Sequence, residues 1–115
     1  MRSPLNDKVR LEHIQNAINN IEEYVAGKVY EDIVADKILR HAVTWDIQVI
    51  GEASNKLSKE FISAHPGTNW RGVIGMRHVL VHDYYQIDDE GIWNVIEVDL
   101  PLLKAQIEQY ISEME

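Results

Sequence analysis

The sequence predicts an all-α fold, an antiparallel up-and-down bundle of four main helices, on three observations. Apolar residues recur at helical spacing through most of the chain, no stretch alternates apolar with polar residues as a half-buried strand does, and turn-forming residues cluster in a few short breaks. With 115 residues the chain fits a single domain, 1–115, large enough to bury a core without covalent staples.

In the first helix Leu11, Ile14, Ile18, Ile21 and Val25 form one stripe that ends near Gly27, and Ser3 or Asn6 can cap its start. A second helix is expected to begin near Glu31 or Asp32 and to run past Gly51. Its apolar contacts would come from Val34, Ile38, Val43, Trp45, Val49, Ile50 and Leu57. A short helical piece follows to Ala64. The run His65-Pro66-Gly67-Thr68-Asn69 has the residues of a loop, and Asn69 suits the N-cap of a helix from Trp70 to His82. Asp88 or Asp89 can cap the last helix. Pro101, which lacks an amide hydrogen and clashes with the preceding turn, should kink it or split off a fifth helix.

Composition narrows the function classes. There is no cysteine, which excludes a disulfide framework and a zinc–thiolate site. No apolar run reaches the length of a membrane span, and Met1–Asp7 lacks the layout of a signal peptide, so the expectation is a soluble cytoplasmic protein with no membrane partner. The net charge of −8 opposes broad binding to nucleic acid, DNA included. That charge is uneven. Residues 1–64 carry 8 basic and 10 acidic groups, residues 65–85 carry 2 and 1, and residues 86–115 carry 1 and 8. The acidity belongs mainly to the C-terminal segment, a solvated face, while the middle segment holds three of the five histidines and could form a local anion site.

On a helical wheel with Arg77 at zero, Val81 falls near about 40°, Ile74 near about 60°, His78 near about 100°, His82 near about 140° and Gly75 near about 160°. Val73, Met76, Val79 and Leu80 occupy the opposite, core-facing arc. The first face mixes charge with small and apolar residues and suits a partner, so a homodimer through the Trp70–His82 helix is expected. Because Arg77 and His82 diverge, a two-fold mate would complete the site by adding a second pair to the same cleft.

The pair suits RNA cleavage without metal or cofactor. Histidine, with an unperturbed pKa of about 6.5, can take a proton from a 2′-hydroxyl or give one to a leaving 5′-oxygen. Arginine can hold a phosphate bidentately and stabilise charge that develops during reaction.

The string from Arg77 to Tyr84 has the form R-x4-H-x-Y, and on it the chain resembles the HepT-like toxins of the HEPN superfamily. Ile50-Gly51-Glu52-Ala53, Trp70, and the Leu-Pro within Val95 to Leu102 agree with that resemblance, which covers nearly the whole chain. It implies a HEPN-like bundle and a dimeric endoribonuclease in a prokaryotic cytoplasm. The gene would stand beside a minimal nucleotidyltransferase that acts as antitoxin in a type VII-like pair. Arg77 and His82 would be the catalytic pair, His78 an RNA-orienting or proton-transferring neighbour, and Tyr84 the site of AMP transfer, with Tyr85 adjacent. The added phosphate and base would repel and block RNA at the mouth of the site.

Other readings of the same residues stand beside these. His78 and His82 have the i, i+4 spacing of a two-histidine metal site, but Asp83 lies on another face and no third ligand is evident, so no metal is expected. Arg77 could be a structural arginine paired with Glu52, which is compatible with a catalytic role. Trp45, Trp70 and Trp93 are expected to pack rather than to stack bases, and His13, His41 and His65 to be surface or cap residues. The alternative function is a non-catalytic module that serves a nucleotidyltransferase as partner or substrate.

Overall fold

Residues 4–79, 81–82 and 86–115 are described by a computed structural model, with the side chains of residues 4, 5, 79, 81, 82, 86 and 87 outside that description. The first helix, α1, spans Pro4–Val25. Proline suits a first helical position because its missing amide would have no partner there. Ser3, one of the two expected caps, lies outside the described residues, and Asn6, the other, lies inside the first turn. Asp7 follows it and is buried, accepting hydrogen bonds from the Ser58 amide at 2.8 Å and the Ser58 hydroxyl at 2.7 Å. The same hydroxyl accepts from the Phe61 amide at 3.1 Å and so caps α4 (Lys59–Ala64). A buried carboxylate is tolerable because both its oxygens are bonded, and it fastens the start of α1 to the start of α4. Gly27, at φ 73°, ends the first segment in a backbone conformation that favours glycine.

The single second helix expected from Glu31 past Gly51 is two helices, α2 (Tyr30–Ala35) and α3 (Lys37–Asn55). They separate at Asp36, whose extended backbone lets its carboxylate accept the Leu39 amide at 3.0 Å and cap α3. The break is reinforced by Arg40. Its Nη1 donates to the carbonyl of Ile33 at 3.0 Å and to that of Val34, groups that the end of α2 leaves without helical partners. Its Nε lies 3.3 Å from Asp89.

On α3 the buried residues Val43, Ile47 and Ile50 form a stripe at spacings of four and three. Trp45 falls about 200° around the helix from Val43 and is 67% exposed, so it is not the packing residue it was expected to be. Ile38 is exposed for the same reason, and Val34, on the separate helix α2, is exposed as well. Trp70 is buried, and Trp93 is half-buried against the core, with its ring edge-on to Tyr30. The core joins Leu11, Ile14, Ile18 and Ile21 of α1 to the α3 stripe and to Ile92, Leu103 and Ile107. Thus α1 packs on α3 and on the last helix, and α3 packs on α5 (Trp70–Val79).

The loop before α5 is held by side chains on both sides. Trp70 Nε1 donates to the His65 carbonyl at 2.9 Å, and the His65 ring caps α4 while stacking on Phe61 with centroids 4.0 Å apart. Thr68 donates its hydroxyl proton to Gln106 Oε1 at 2.9 Å, so the Tyr110 hydroxyl donates to Thr68. Asn69 Oδ1 accepts the Gly72 amide at 3.1 Å, the expected cap. After α5 comes a two-residue antiparallel pairing, β1 (Val81–His82) with β2 (Gln86–Ile87), with Val81 opposite Ile87 and His82 opposite Gln86. The fold class is all-helical apart from this pairing.

Asp88 caps α6 (Asp89–Asn94), accepting the Gly91 amide at 2.9 Å. The helix then passes through a π-helical turn, Val95–Asp99, into α7 (Leu100–Met114). The Leu100 amide bonds to the Val95 carbonyl, five residues back. Pro101 therefore falls in the first turn of α7, and the widened turn absorbs the disruption without separating a fifth helix. Glu22 of α1 accepts from Lys104 of α7 at 2.8 and 3.1 Å, and this bond raises the lysine pKa.

One close approach fixes the position of α5. A β-carbon added to Gly51 would lie 3.0 Å from Arg77 Cβ, 3.1 Å from the Arg77 amide nitrogen and 3.1 Å from the Ile74 carbonyl oxygen. Alanine at a helical glycine gains about 0.5–1 kcal/mol from the backbone, but overpacking against a second helix costs about 1–3 kcal/mol. Gly51→Ala is therefore expected to lower the urea midpoint and Gly51→Val to lower it further. An alanine variant more stable than the wild type would show that this contact does not limit the packing.

Candidate active site at the end of α5

Arg77 lies in the last turn of α5, half-buried against α3. The absence of a side chain at Gly51 lets the two helices come close, and Glu52, the next residue of α3, meets the guanidinium from the side. Arg77 Nη1 donates to Glu52 Oε1 at 3.1 Å. The two side chains are 24% and 56% exposed, so solvent screens the pair and its contribution to stability is small, about 0–1 kcal/mol. Its consequence is orientation. One edge of the guanidinium is fixed, and Arg77 Nε is buried with no hydrogen-bond partner among the described residues. Glu52 thus holds the arginine without using all of its donors.

His78 follows on the same turn and is exposed. Both side chains sit at the C-terminal end of a helix, where the positive charge of Arg77 is favoured by the helix dipole. The dipole itself offers nothing to an anion here, so phosphate affinity must come from the side chains. The face expected to be free for a partner is narrower than the wheel suggested. Ile74 packs against the core, while Arg71, Gly72 and His78 are exposed.

His82 is not on this helix. The helix expected to reach it ends at Val79, and the His82 backbone belongs to the paired strand β1. Valines at 79 and 81 lose side-chain freedom in a helix and favour extended backbone, and Asp83 would place a negative charge near the unfavourable end of the dipole. The wheel angle between Arg77 and His82 therefore does not apply, and neither does the helical i, i+4 spacing of His78 with His82. The His82 side chain lies outside the described residues, and so do Tyr84 and Tyr85. Among the sequence-predicted residues, the structure brings together Arg77 and Glu52, sets His78 beside them, and carries the His82 backbone onto the pairing that follows.

Two grooves flank this region. The larger, about 410 Å³ between α5 and the α6–α7 run, is lined by Asp88 and Asp99 and by no lysine or arginine, which suits it poorly to phosphate. The smaller, about 270 Å³ between α1 and α3, contains Glu52 together with Arg10, His13, Trp45, Gln48 and Lys56. Sequence reasoning missed this second groove because it assigned Trp45 to the core. The position of Trp45 off the Val43, Ile47 and Ile50 stripe was the available signal.

The family model for HepT-like ribonucleases matches residues 14–110. A protein of Thermococcus cleftensis named "Probable ribonuclease HepT" is 36% identical over 99 residues, 86% of this chain and 90% of that one. A protein of Caldanaerobacter subterraneus subsp. tengcongensis, named as a candidate RNase, is 34% identical over 90% of this chain and 92% of its own. One from Methanocaldococcus jannaschii, named in the same way, is 30% identical over 88% and 93%. No solved structure matches the chain. With its helical architecture and an arginine held by a glutamate ahead of the motif histidine, the chain belongs to the HepT-like ribonuclease family of the HEPN superfamily.

Proposed function

We propose that the protein is a metal-independent endoribonuclease that acts as a single domain, residues 1–115, in the cytoplasm of a prokaryote. The observation that carries this reading is Arg77, held by Glu52 at 3.1 Å at the end of α5 within an R-x4-H motif. In the proposed reaction His82 takes the proton from a ribose 2′-hydroxyl. The freed oxygen attacks the adjacent phosphorus, the bond to the 5′-oxygen breaks, and a protonated histidine supplies the proton that this oxygen needs. Arg77 neutralises the charge on the non-bridging oxygens, and exposed His78 orients the strand or relays a proton. A homodimer through α5 would supply the second histidine, so that one acts as base and the other as acid. The exposed Arg71 and His78, seven residues apart on one face of α5, support a contact there. Among the described residues no helix is long and apolar enough to cross a membrane.

The finer reading makes the protein the toxin of a type VII-like toxin–antitoxin pair. A cognate minimal nucleotidyltransferase would transfer AMP to Tyr84, two residues beyond His82 in sequence. The tyrosine oxygen attacks the α-phosphorus of ATP, pyrophosphate leaves, and the phosphodiester that forms carries a negative charge. Placed near the Arg77 and His82 site, that charge and the adenosine would exclude an RNA phosphate. The net charge of −8 favours the second reading, a non-catalytic partner or substrate of such an enzyme.

The partner-free protein should cleave RNA in the presence of a chelator, and His82→Ala should lower the rate about 10²–10⁴-fold. Arg77→Ala should cost about 10²–10³-fold, with its fold retained by circular dichroism. Equal rates for wild type and His82→Ala would remove the catalytic reading and leave the non-catalytic one.

For the switch, intact mass after incubation with ATP and the neighbouring nucleotidyltransferase should rise in steps of one AMP, and Tyr84→Phe should abolish the rise. Modification that persists in Tyr84→Phe moves the site to another residue, Tyr85 being the nearest.

A further inference from the structure

The proposed reaction does not use the groove between α1 and α3, yet its composition is unlike the rest of the surface. Trp45 stands on the outer face of α3 with 67% of its area in solvent. A tryptophan so exposed makes little use of its large apolar face in the fold. Around it the groove is lined by Arg10 and His13 of α1, by Gln48 and Glu52 of α3, and by Lys56, which caps the C-terminal end of α3. The chain as a whole is strongly acidic, but Glu52 is the one carboxylate among these lining residues, and Arg77 engages it. The groove therefore offers an aromatic surface with cationic groups beside it, against the sign of the protein's net charge.

Trp45 and Glu52 are seven residues apart on one helix. Seven residues make almost two full turns, so both lie on the same stripe of α3, about 10 Å apart along its axis. A strand laid along that stripe passes from the indole to the carboxylate that touches Arg77.

We propose that this groove is a single-stranded RNA subsite, in which one unpaired base stacks on Trp45 while neighbouring phosphates meet Arg10 and Lys56. This rests on the ribonuclease reading and gives that site a route by which substrate reaches it. Every base has a π-face, so stacking on tryptophan binds single strands with little sequence preference, and cations beside it track the backbone. A second copy of the chain is a poorer occupant. A two-fold contact through this groove would bring Arg10 and Lys56 of one copy near the same cations of the other, whereas an RNA strand meets them with opposite charge.

The test uses the full-length protein and a fluorescein-labelled single-stranded oligonucleotide of about 12 nucleotides, 2′-O-methylated throughout so that it cannot be cleaved. Anisotropy should show Trp45→Ala weakening binding about 5- to 100-fold. Trp45→Tyr, which keeps a stacking ring, should recover most of the loss, a recovery that a purely structural role for the residue would not predict. Lys56→Gln should make the dependence of log K on log salt shallower by about 0.7. The exposed position of Trp45 predicts an unchanged unfolding midpoint, which checks that the variants are folded.

If the wild type cleaves RNA but Trp45→Ala binds the oligonucleotide as tightly as wild type, the subsite falls and the ribonuclease reading stands. Absence of both cleavage and oligonucleotide binding in the wild type overturns the two together. Conversion of a dimer to monomers by Trp45→Ala in sedimentation, with Trp45→Tyr failing to restore RNA binding, assigns the groove to a contact between copies and overturns the proposal.

Discussion

At Gly51 the backbones of α3 and α5 approach until a methyl group would fit only if its neighbours gave way by a few tenths of an ångström, with the missing β-carbon 3.0–3.1 Å from atoms of Ile74 and Arg77. That constraint sets both the spacing and the register of the two helices. It explains why the residue after the glycine, Glu52, meets Arg77 rather than a neighbour one turn away. The interhelical distance that a larger residue would impose would lengthen the Glu52–Arg77 bond of 3.1 Å and turn the guanidinium loose. Because both partners are partly exposed, the ion pair cannot be what holds the helices together. Packing holds them, through Val73 and Met76 against the core, and the ion pair takes its geometry from the packing.

The other elements keep α5 in place from its two ends. At the start, the loop 65–69 is fixed by Trp70, Thr68 and the Phe61–His65–Tyr110 cluster, so the Asn69 cap begins the helix at a defined point. At the other end the helix gives way to a short antiparallel pairing, which reverses the chain before α6. The motif histidine belongs to that pairing, and the arginine to the helix. On the proposed mechanism, a site divided in this way between a packed element and a reversal would fix its phosphate-binding group, Arg77, while another element governs the proton-transfer group, His82.

Much of the fold was legible because the dominant signal, apolar residues at helical spacing, is what the core uses. Leu11, Ile14, Ile18 and Ile21 are all buried as their stripe implied, and the caps at Asn69 and Asp88 follow from side chains that compete for backbone amides. The misreadings have a common physical origin: each depended on a local competition whose winner is set by tertiary contact. Asp36 could continue a helix or cap one, and Arg40 favours the cap by binding the carbonyls that the break exposes. Pro101 could split the last helix, but a π turn with its bond from Leu100 to Val95 keeps the segment continuous. Val79 to His82 could extend α5, and the pairing with Gln86 and Ile87 draws the backbone away from it. The Arg77–Glu52 pair was legible as a possible pairing of the motif arginine with an acid of the preceding long helix, while the groove beside it was hidden by the assumption that a tryptophan belongs inside.

Net charge gives the remaining constraint on how such a site can work. A chain at −8 cannot gather RNA over its whole surface, so any affinity has to be local and sensitive to salt. The segregation of charge makes this feasible. Eight acids fall in residues 86–115, whereas Arg10 and Arg77 come from α1 and α5 and Lys56 from the C-cap of α3, with a single carboxylate, Glu52, joining the groove to the arginine. On the proposed reading an anionic strand is accepted along the groove of Arg10 and Lys56, where carboxylates are few, so the local charge and not the net charge governs its approach. On the proposed AMP transfer to Tyr84, the same arithmetic would let one added phosphodiester act as a switch. Where few cations offset a large negative background, a single new negative charge removes a large share of the local attraction for phosphate.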